Sequence, residues 1–239
     1  MIHCDLHTHS LASSCGNHTI LELLQFARAK HLKALAITDH GEFLGTKLNS
    51  TFFERFRNPY SDIVLYKGIE ANPDPQTATL DIPKSYLPFL DFVAVGFHNN
   101  IPDDKGIDYN TSLLIEVLQK NPCVDMITHP GTPDFPLNLN RLLPYLRKYG
   151  TLLEINNSKI LHNRVGEDYM KELLGFCQKN KLPVALNSDA HVVTELGDVS
   201  ATLPLLRRYV FSRDLIINMD FKKTQAFINE RKSRKKVIS

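Results

Sequence analysis

Residues 1–10, Met1-Ile2-His3-Cys4-Asp5-Leu6-His7-Thr8-His9-Ser10, run from an apolar start into an aspartate and two histidines. The pattern of a short apolar run followed by polar, titratable residues recurs along the chain. Runs at 34–38, 63–69, 92–97, 124–128, 151–155 and 183–186 join 1–4 to make seven, each short and apolar enough to read as a buried strand. Between several of them the period changes. Ile20, Leu23, Leu24, Ala27 and Leu32 share one face of a helix expected over 19–32, opened by a Thr19–Glu22 capping box. Further helices are expected over 111–119, over 139–149 with a stop at Gly150 and a kink or late start at Pro144, and over 167–179. Alternating strands and helices imply a parallel sheet. Seven such units predict an α/β fold of the TIM-like (β/α)7 barrel type, with the active site at the C-terminal ends of the strands.

The rest of the composition fits one globular unit. The 239 residues are 43% hydrophobic and 23% charged, with a formal net charge of +2, and no linker, repeat or low-complexity tract divides them. A single domain spanning 1–239 is expected. Cys4, Cys15, Cys123 and Cys177 form no CxxC pair, which argues against a disulfide framework and suits a reducing cytoplasm. The longest apolar run, 92–97, is far below the ~18 residues of a membrane span, and the first residues lack the pattern of a secretory signal, so a cytoplasmic location without a membrane partner is expected. The near-balanced charge offers no field for wrapping nucleic acid. Seven basic residues within 222–236, against Glu230 alone, read as a solvated terminus.

The strand ends carry the chemistry. The first run leads into Asp5, His7 and His9, the second into Asp39 and His40, the third into Glu70, the fourth into His98, the fifth into His129 and the seventh into Asp189 and His191. Imidazoles and carboxylates converging on one face are what zinc or a similar first-row metal requires. Alternate residues of an extended segment point the same way, so His7 with His9, and Asp189 with His191, can act in pairs. His3, His18, His31 and His162 read individually as surface or packing residues. HExxH, GxSxG and a cysteine six residues before an arginine are all absent, and the glycines of 41–47 are misspaced for a phosphate loop.

Seven stretches, DLHTHS at 5–10, ITDH at 37–40, GIEA at 68–71, GFH at 96–98, THPG at 128–131, EINNS at 154–158 and NSDAH at 187–191, resemble the PHP (polymerase and histidinol phosphatase) superfamily. The set THPG, EINNS and SDAH resembles its YcdX-type phosphatase branch. The resemblance implies a distorted seven-stranded barrel holding three metals, usually zinc, with manganese or iron as alternatives. Carried over by position, His7, His9, Glu70 and Asp189 would hold one metal; Glu70, bridging, with His98 and His129 a second; His40 and His191 part of a third. Where the branch supplies a further histidine, this chain has Cys15, a good zinc ligand, with His18 as the alternative.

Three divalent ions bring about +6, against about −4 from Glu70, Asp189, a Cys15 thiolate and a bridging hydroxide. Such a site attracts an anion. A small-molecule phosphate monoester is the expected substrate, attacked by the metal-bridging hydroxide, with Glu70 and Asp189 catalytic through the metals. Arg164 is expected to clamp the phosphate, and Asn156, Asn157 and Ser158 to donate to the ester or to the metal-bound waters. Asp5 and Asp39 are assigned to orienting imidazoles by accepting from their other nitrogen, with loop capping as the alternative. Neutral imidazoles predict a neutral to alkaline optimum. The alternatives are a phosphodiesterase or exonuclease acting on nucleic-acid ends and a non-catalytic metal-binding module.

Overall fold

In the computed structural model, which describes residues 1–98 and 105–238, seven parallel strands pair in chain order: β1 (Cys4–Asp5), β2 (Ala34–Ile37), β3 (Val64–Ala71), β4 (Phe92–Val95), β5 (Met126–Ile127), β6 (Leu152–Asn156) and β7 (Val184–Asn187). Side chains alternate across this sheet. Ala34, Ala36, Phe92, Ala94, Met126, Leu152 and Ala185 form one buried cluster inside the ring of strands. Their neighbours Leu35, Ile37, Val93, Val95, Ile127, Leu153, Val184 and Leu186 belong to the larger outer core under the helices.

Closure between β1 and β7 relies on side chains and a single bridge. Thr8 and Ala190 pair in parallel, and Leu6 N–H donates to Asn187 Oδ1 at 3.0 Å. Asn218 fills the gap below them. Its Nδ2 donates to Cys4 O at 2.8 Å and Leu186 O at 2.6 Å, and its Oδ1 accepts from Leu186 N–H at 2.9 Å. One amide side chain thus stands where strand backbone is missing, and the sheet becomes a nearly closed barrel.

The outer layer contains α1 (Ile20–Ala29), α2 (Ser50–Arg55), α3 (Ile107–Lys120), α4 (Leu139–Tyr149), α5 (Asn157–Leu161), α6 (Glu167–Asn180), α7 (Leu203–Arg208) and α8 (Phe221–Ile238). The Thr19–Glu22 box opens α1, with Glu22 N–H donating to Thr19 Oγ1 at 3.3 Å and Thr19 N–H to Glu22 Oε2 at 2.7 Å. Leu113, Leu114, Val117 and Leu118 of α3, and Met170, Leu173, Leu174 and Cys177 of α6, are buried at helical spacing. Helix α4 starts at Leu139, so Pro144 lies inside it, and Gly150 ends it in the left-handed region. No described helix is long and apolar enough to cross a membrane.

Two expectations change. The first strand begins at Cys4 rather than Met1, because Met1 is exposed and His3 N–H pairs with Asn218 O instead of a strand. The basic tail is not a solvated arm. Arg231 and Lys235 on α8 are 2% and 1% exposed, and both bind Asp125, at 2.6 Å (Nε–Oδ1) and 2.5 Å (Nζ–Oδ2). Arg231 also donates to the carbonyls of Val124 and Tyr149, Lys235 to that of Asp91, and Lys232 pairs with the Asp91 carboxylate. These partners precede β4, β5 and β6, so α8 closes the N-terminal end of the barrel, with Ile228 in the interior cluster. The side chains of Arg234 and Lys236 lie outside the described residues.

Candidate metal centre

At the other end, polar side chains continue the interior positions of the strands. Four ligand atoms approach one another beyond β1, β3 and β7. His7 Nε2 lies 3.2 Å from His9 Nε2, 3.2 Å from Glu70 Oε2 and 3.4 Å from Asp189 Oδ1. His9 Nε2 lies 3.5 Å from Glu70 Oε2 and 3.3 Å from Asp189 Oδ1. Ligand atoms about 2.0–2.2 Å from one zinc in tetrahedral geometry are separated by ~3.4 Å. His7, His9 and Asp189 thus converge as one group at this spacing, and Glu70 Oε2 stands at the same spacing from both imidazoles.

Glu70 extends the cluster. Its Oε1 is 3.2 Å from His129 Nε2, and its Oε2 is 3.4 Å from His98 Nε2 and 3.1 Å from His40 Nδ1. His40 Nδ1 and Glu70 Oε1 are buried and, despite these close approaches, neither makes a well-directed hydrogen bond among the described residues. Buried orphans of this kind are costly unless another group satisfies them, and a cation at their meeting point would do so. A further group brings His9, Cys15, His40 and His191 together with ligand atoms within 4.8 Å. It contains Cys15 and not His18, whose Nδ1 is buried without a partner. His9 and His40 thus reach into more than one group, beyond the ligand sets carried over from sequence. The donor set of imidazole, carboxylate and thiol fits zinc.

The supporting residues differ from those expected. Asp5 accepts from Ser188 Oγ and from Gly197 N–H at 2.8 Å, and Asp39 from Ser10 N–H and Oγ, both at 2.6 Å. Of the two roles open to them, loop capping is the one these contacts serve. The imidazoles are oriented by Glu154 and Asn72. Glu154 Oε1 meets His7 Nδ1 at 2.7 Å, and Asn72 Oδ1 meets His98 Nδ1 at 2.7 Å. Nδ1–H bonds of this kind turn the Nε2 lone pair toward the ligand cluster. Glu154 also accepts from Asn187 Nδ2 at 2.9 Å, and its Oε2 accepts from His129 N–H at 2.8 Å and Asn156 Nδ2 at 2.9 Å. Sequence reasoning passes over it because the sixth run leads into the amides Asn156 and Asn157. The interior alternation Leu152, Glu154, Asn156 was the available signal.

The backbone is adapted to this crowding. A Cβ on Gly96 would lie 2.1 Å from Thr128 Oγ1 and 3.1 Å from Glu70 Oε1, so only glycine lets β4 pass the carboxylate. His129 and Asp189 adopt φ of 31° and 54°. For residues with a Cβ this region costs of order 1–3 kcal/mol, a strain concentrated at functional sites.

Charge follows from the same geometry. Burial opposes ionising Glu70 and Asp189, but His7 above all, with His98 beside Glu70 and Lys159 beside Asp189, holds both well below the usual carboxylate range. Burial also opposes protonating His7, and Glu154, Glu70 and Asp189 outweigh it, raising His7 well above a free imidazole. His40 rises to about 10, its burial overcome by Cys15 and Glu70. Burial drives His9 down to about 3 and, with Lys159, His129 to about 4. Burial raises the Cys15 thiol, yet His191 and His40 bring it down to about 7. The centre packs ionised carboxylates among buried imidazoles, a charge pattern that would suit a divalent cation.

A cleft of about 350 Å³ opens beside it, lined by His98, His129, Lys159, Arg164 and Asp134 together with Phe97 and Phe135, which stack at 5.5 Å. Arg164 also lines an adjoining cleft with Ser158 and His191. Asn157 departs from its expected substrate role. It is buried, and its Oδ1 accepts from Ala201 N–H, Thr202 N–H and Thr202 Oγ1 at 3.1, 3.1 and 3.2 Å, which commits that oxygen to bracing a loop. Lys159, not anticipated from sequence, reaches Asp189 Oδ2 at 3.4 Å, and Asp189, Glu70 and Glu154 raise its pKa against the effect of burial.

The family model described as PHP domain matches residues 5–158. The chain belongs to the PHP domain family. Over 233 residues it is 32% identical to a protein of Acetivibrio thermocellus named "Probable phosphatase", covering 96% of each chain. Over 218 residues it is 33% identical to a "Probable phosphatase" of Tolumonas auensis, covering 90% of this chain and 88% of the relative. Among solved structures, the histidinol phosphate phosphatase of Lactococcus lactis, complexed with zinc, L-histidinol and phosphate, is similar with a TM-score of 0.55 at 15% identity, covering 95% of this chain and 93% of that one. At that identity the likeness speaks for the PHP fold alone.

Proposed function

We propose that this PHP-domain phosphatase hydrolyses phosphate monoesters of a small molecule in a centre for about three zinc ions, manganese or iron being alternatives. The observation that carries this reading is the convergence of the His7, His9 and Asp189 ligand atoms, with Glu70 Oε2 within 3.5 Å of both imidazoles, beside a cleft lined by Lys159 and Arg164. His7, His9, Glu70 and Asp189 would hold one ion, and Glu70 with His98 and His129 a second. Cys15, His40 and His191 would hold the third. When bound, such ions would supply Lewis acidity toward phosphoryl oxygens and would lower the pKa of coordinated water toward about 7.

The chain's own residues do the rest. Glu154 and Asn72 hold the Nδ1 side of His7 and His98 and so aim their Nε2 atoms at the ligand cluster. Glu70 joins the first two ligand sets through its two oxygens. Arg164, at the mouth of both clefts, clamps phosphoryl oxygens with its planar fork. Ser158 offers a hydroxyl from the adjoining cleft, while Leu44, Phe97 and Phe135 face the organic part of the ester.

The test is elemental analysis of protein purified without added metal, run beside p-nitrophenyl phosphate and bis-p-nitrophenyl phosphate hydrolysis. About three metals per chain with monoester preference is expected, and Asp189→Ala and His129→Ala should each abolish turnover with the fold retained. Full turnover in both variants overturns the mechanism. Preference for the diester with a smaller metal complement would redirect the assignment to a nuclease.

A further inference from the structure

We propose that Lys159, acting with Arg164, recognises the second negative charge of a terminal phosphoryl group and so sets a preference for monoesters over diesters. The assignment deepens the phosphatase reading above and rests on it.

Lys159 lies in the first turn of α5, directly after the Asn156-Asn157-Ser158 segment that ends β6. Its ammonium is 3.4 Å from Asp189 Oδ2, while Asp189 Oδ1 faces His7 and His9 at 3.4 and 3.3 Å. One carboxylate therefore separates a fixed positive charge from the ligand cluster. Satisfying Asp189 does not by itself require this lysine, since Asn156 Nδ2 already donates to the same oxygen at 3.1 Å. Once cations occupy the cluster, the single charge of Asp189 is shared between them and the ammonium, so the surroundings of Lys159 become net positive and a further anion is favoured there.

The clefts show where that anion would lie. Lys159 and Arg164 both line the larger cleft with His98 and His129, and both line the adjoining one with His191. Lys159 is largely buried, with its side chain 27% exposed, so its charge is directed rather than solvated. The Arg164 guanidinium has no ion-pair partner among the described residues. A compact ammonium and a planar fork thus line both clefts, which also carry Asp134 and Glu195. A terminal phosphoryl group carries close to two charges above its second pKa of about 6. A diester carries one and presents a second substituent where these cations stand.

The experiment compares wild type with Lys159→Met and Lys159→Arg. It measures kcat/KM on p-nitrophenyl phosphate and on bis-p-nitrophenyl phosphate, metal content by elemental analysis, and binding of inorganic phosphate to the metal-loaded protein by calorimetry. In Lys159→Met the monoester-to-diester ratio should fall by about tenfold or more, with phosphate affinity reduced to match and metal content unchanged. Lys159→Arg should restore part of both. A parallel loss on the two substrates with loss of metal would mean that Lys159 only positions Asp189, and would overturn the proposal. An unchanged ratio would overturn it too. If the wild type hydrolyses neither ester, the phosphatase reading fails separately; phosphate affinity then judges Lys159, unchanged binding in Lys159→Met overturning the assignment and about tenfold weaker binding supporting it.

Discussion

Replacing Glu154 by Gln removes one charge while keeping size and shape, and every contact of this carboxylate is a donor. Oε1 accepts from His7 Nδ1 and Asn187 Nδ2, Oε2 from His129 N–H and Asn156 Nδ2, at 2.7 to 2.9 Å. A glutamine amide has one oxygen, so whichever way it turns, two of these donors face an NH2 group. A buried donor left unsatisfied costs about 1–3 kcal/mol, giving about 2–6 kcal/mol for the pair. His7 has one escape: its proton can move to Nε2 so that Nδ1 accepts from the amide. That spares stability but aims a proton at His9, Glu70 and Asp189, where a metal ligand needs a lone pair. Loss of such an orienting partner typically weakens metal binding by about 10–100-fold. Urea unfolding of the metal-free protein reads the first effect, and zinc competition against a chelator the second. Glu154→Gln should fail in at least one. Stability within about 1 kcal/mol of wild type together with zinc affinity within about threefold would refute the role given to Glu154.

Asp125→Asn strips the partner from Arg231 and Lys235, both buried, and should destabilise the protein by about 3–5 kcal/mol in urea unfolding. Turnover of the folded fraction should persist, because α8 covers the end of the barrel away from the ligand cluster. Cys15, its thiol lowered from 9.0 to about 7 by His191 and His40 against burial, should alkylate in the metal-free protein with a rate that rises through pH 7 and levels above it. Cys4, Cys123 and Cys177, pushed by burial to about 12, 11 and 12, should stay unreactive in the folded state. Added zinc should suppress the Cys15 reaction, as read by mass spectrometry of iodoacetamide-treated protein, and labelling unaffected by zinc would remove Cys15 from the ligand set.

The sequence alone carried the strand-and-helix alternation, since burial between helices and the barrel interior requires apolar runs whose period a reader can count. Within a residue or two at most ends, β2, β3, β6 and β7 lie where those runs are. Ligand-type residues at strand ends were equally legible, because histidine and carboxylate are rare company for an apolar run. What the tertiary structure decided is which of these atoms meet. His7 and Glu154 are 147 residues apart in sequence, and their bond exists because β1 and β6 turn those positions into the same barrel. Asn218 as a stand-in for strand backbone, and the burial of Arg231 and Lys235 against Asp125, have no local signature: a polar residue in a solvated segment and one that fills a gap in a distant sheet look alike until the partner is known. Periodicity reports the face a residue takes within its own element, whereas a hydrogen bond or a shared ion depends on chain paths closing over long loops, and only the fold supplies those.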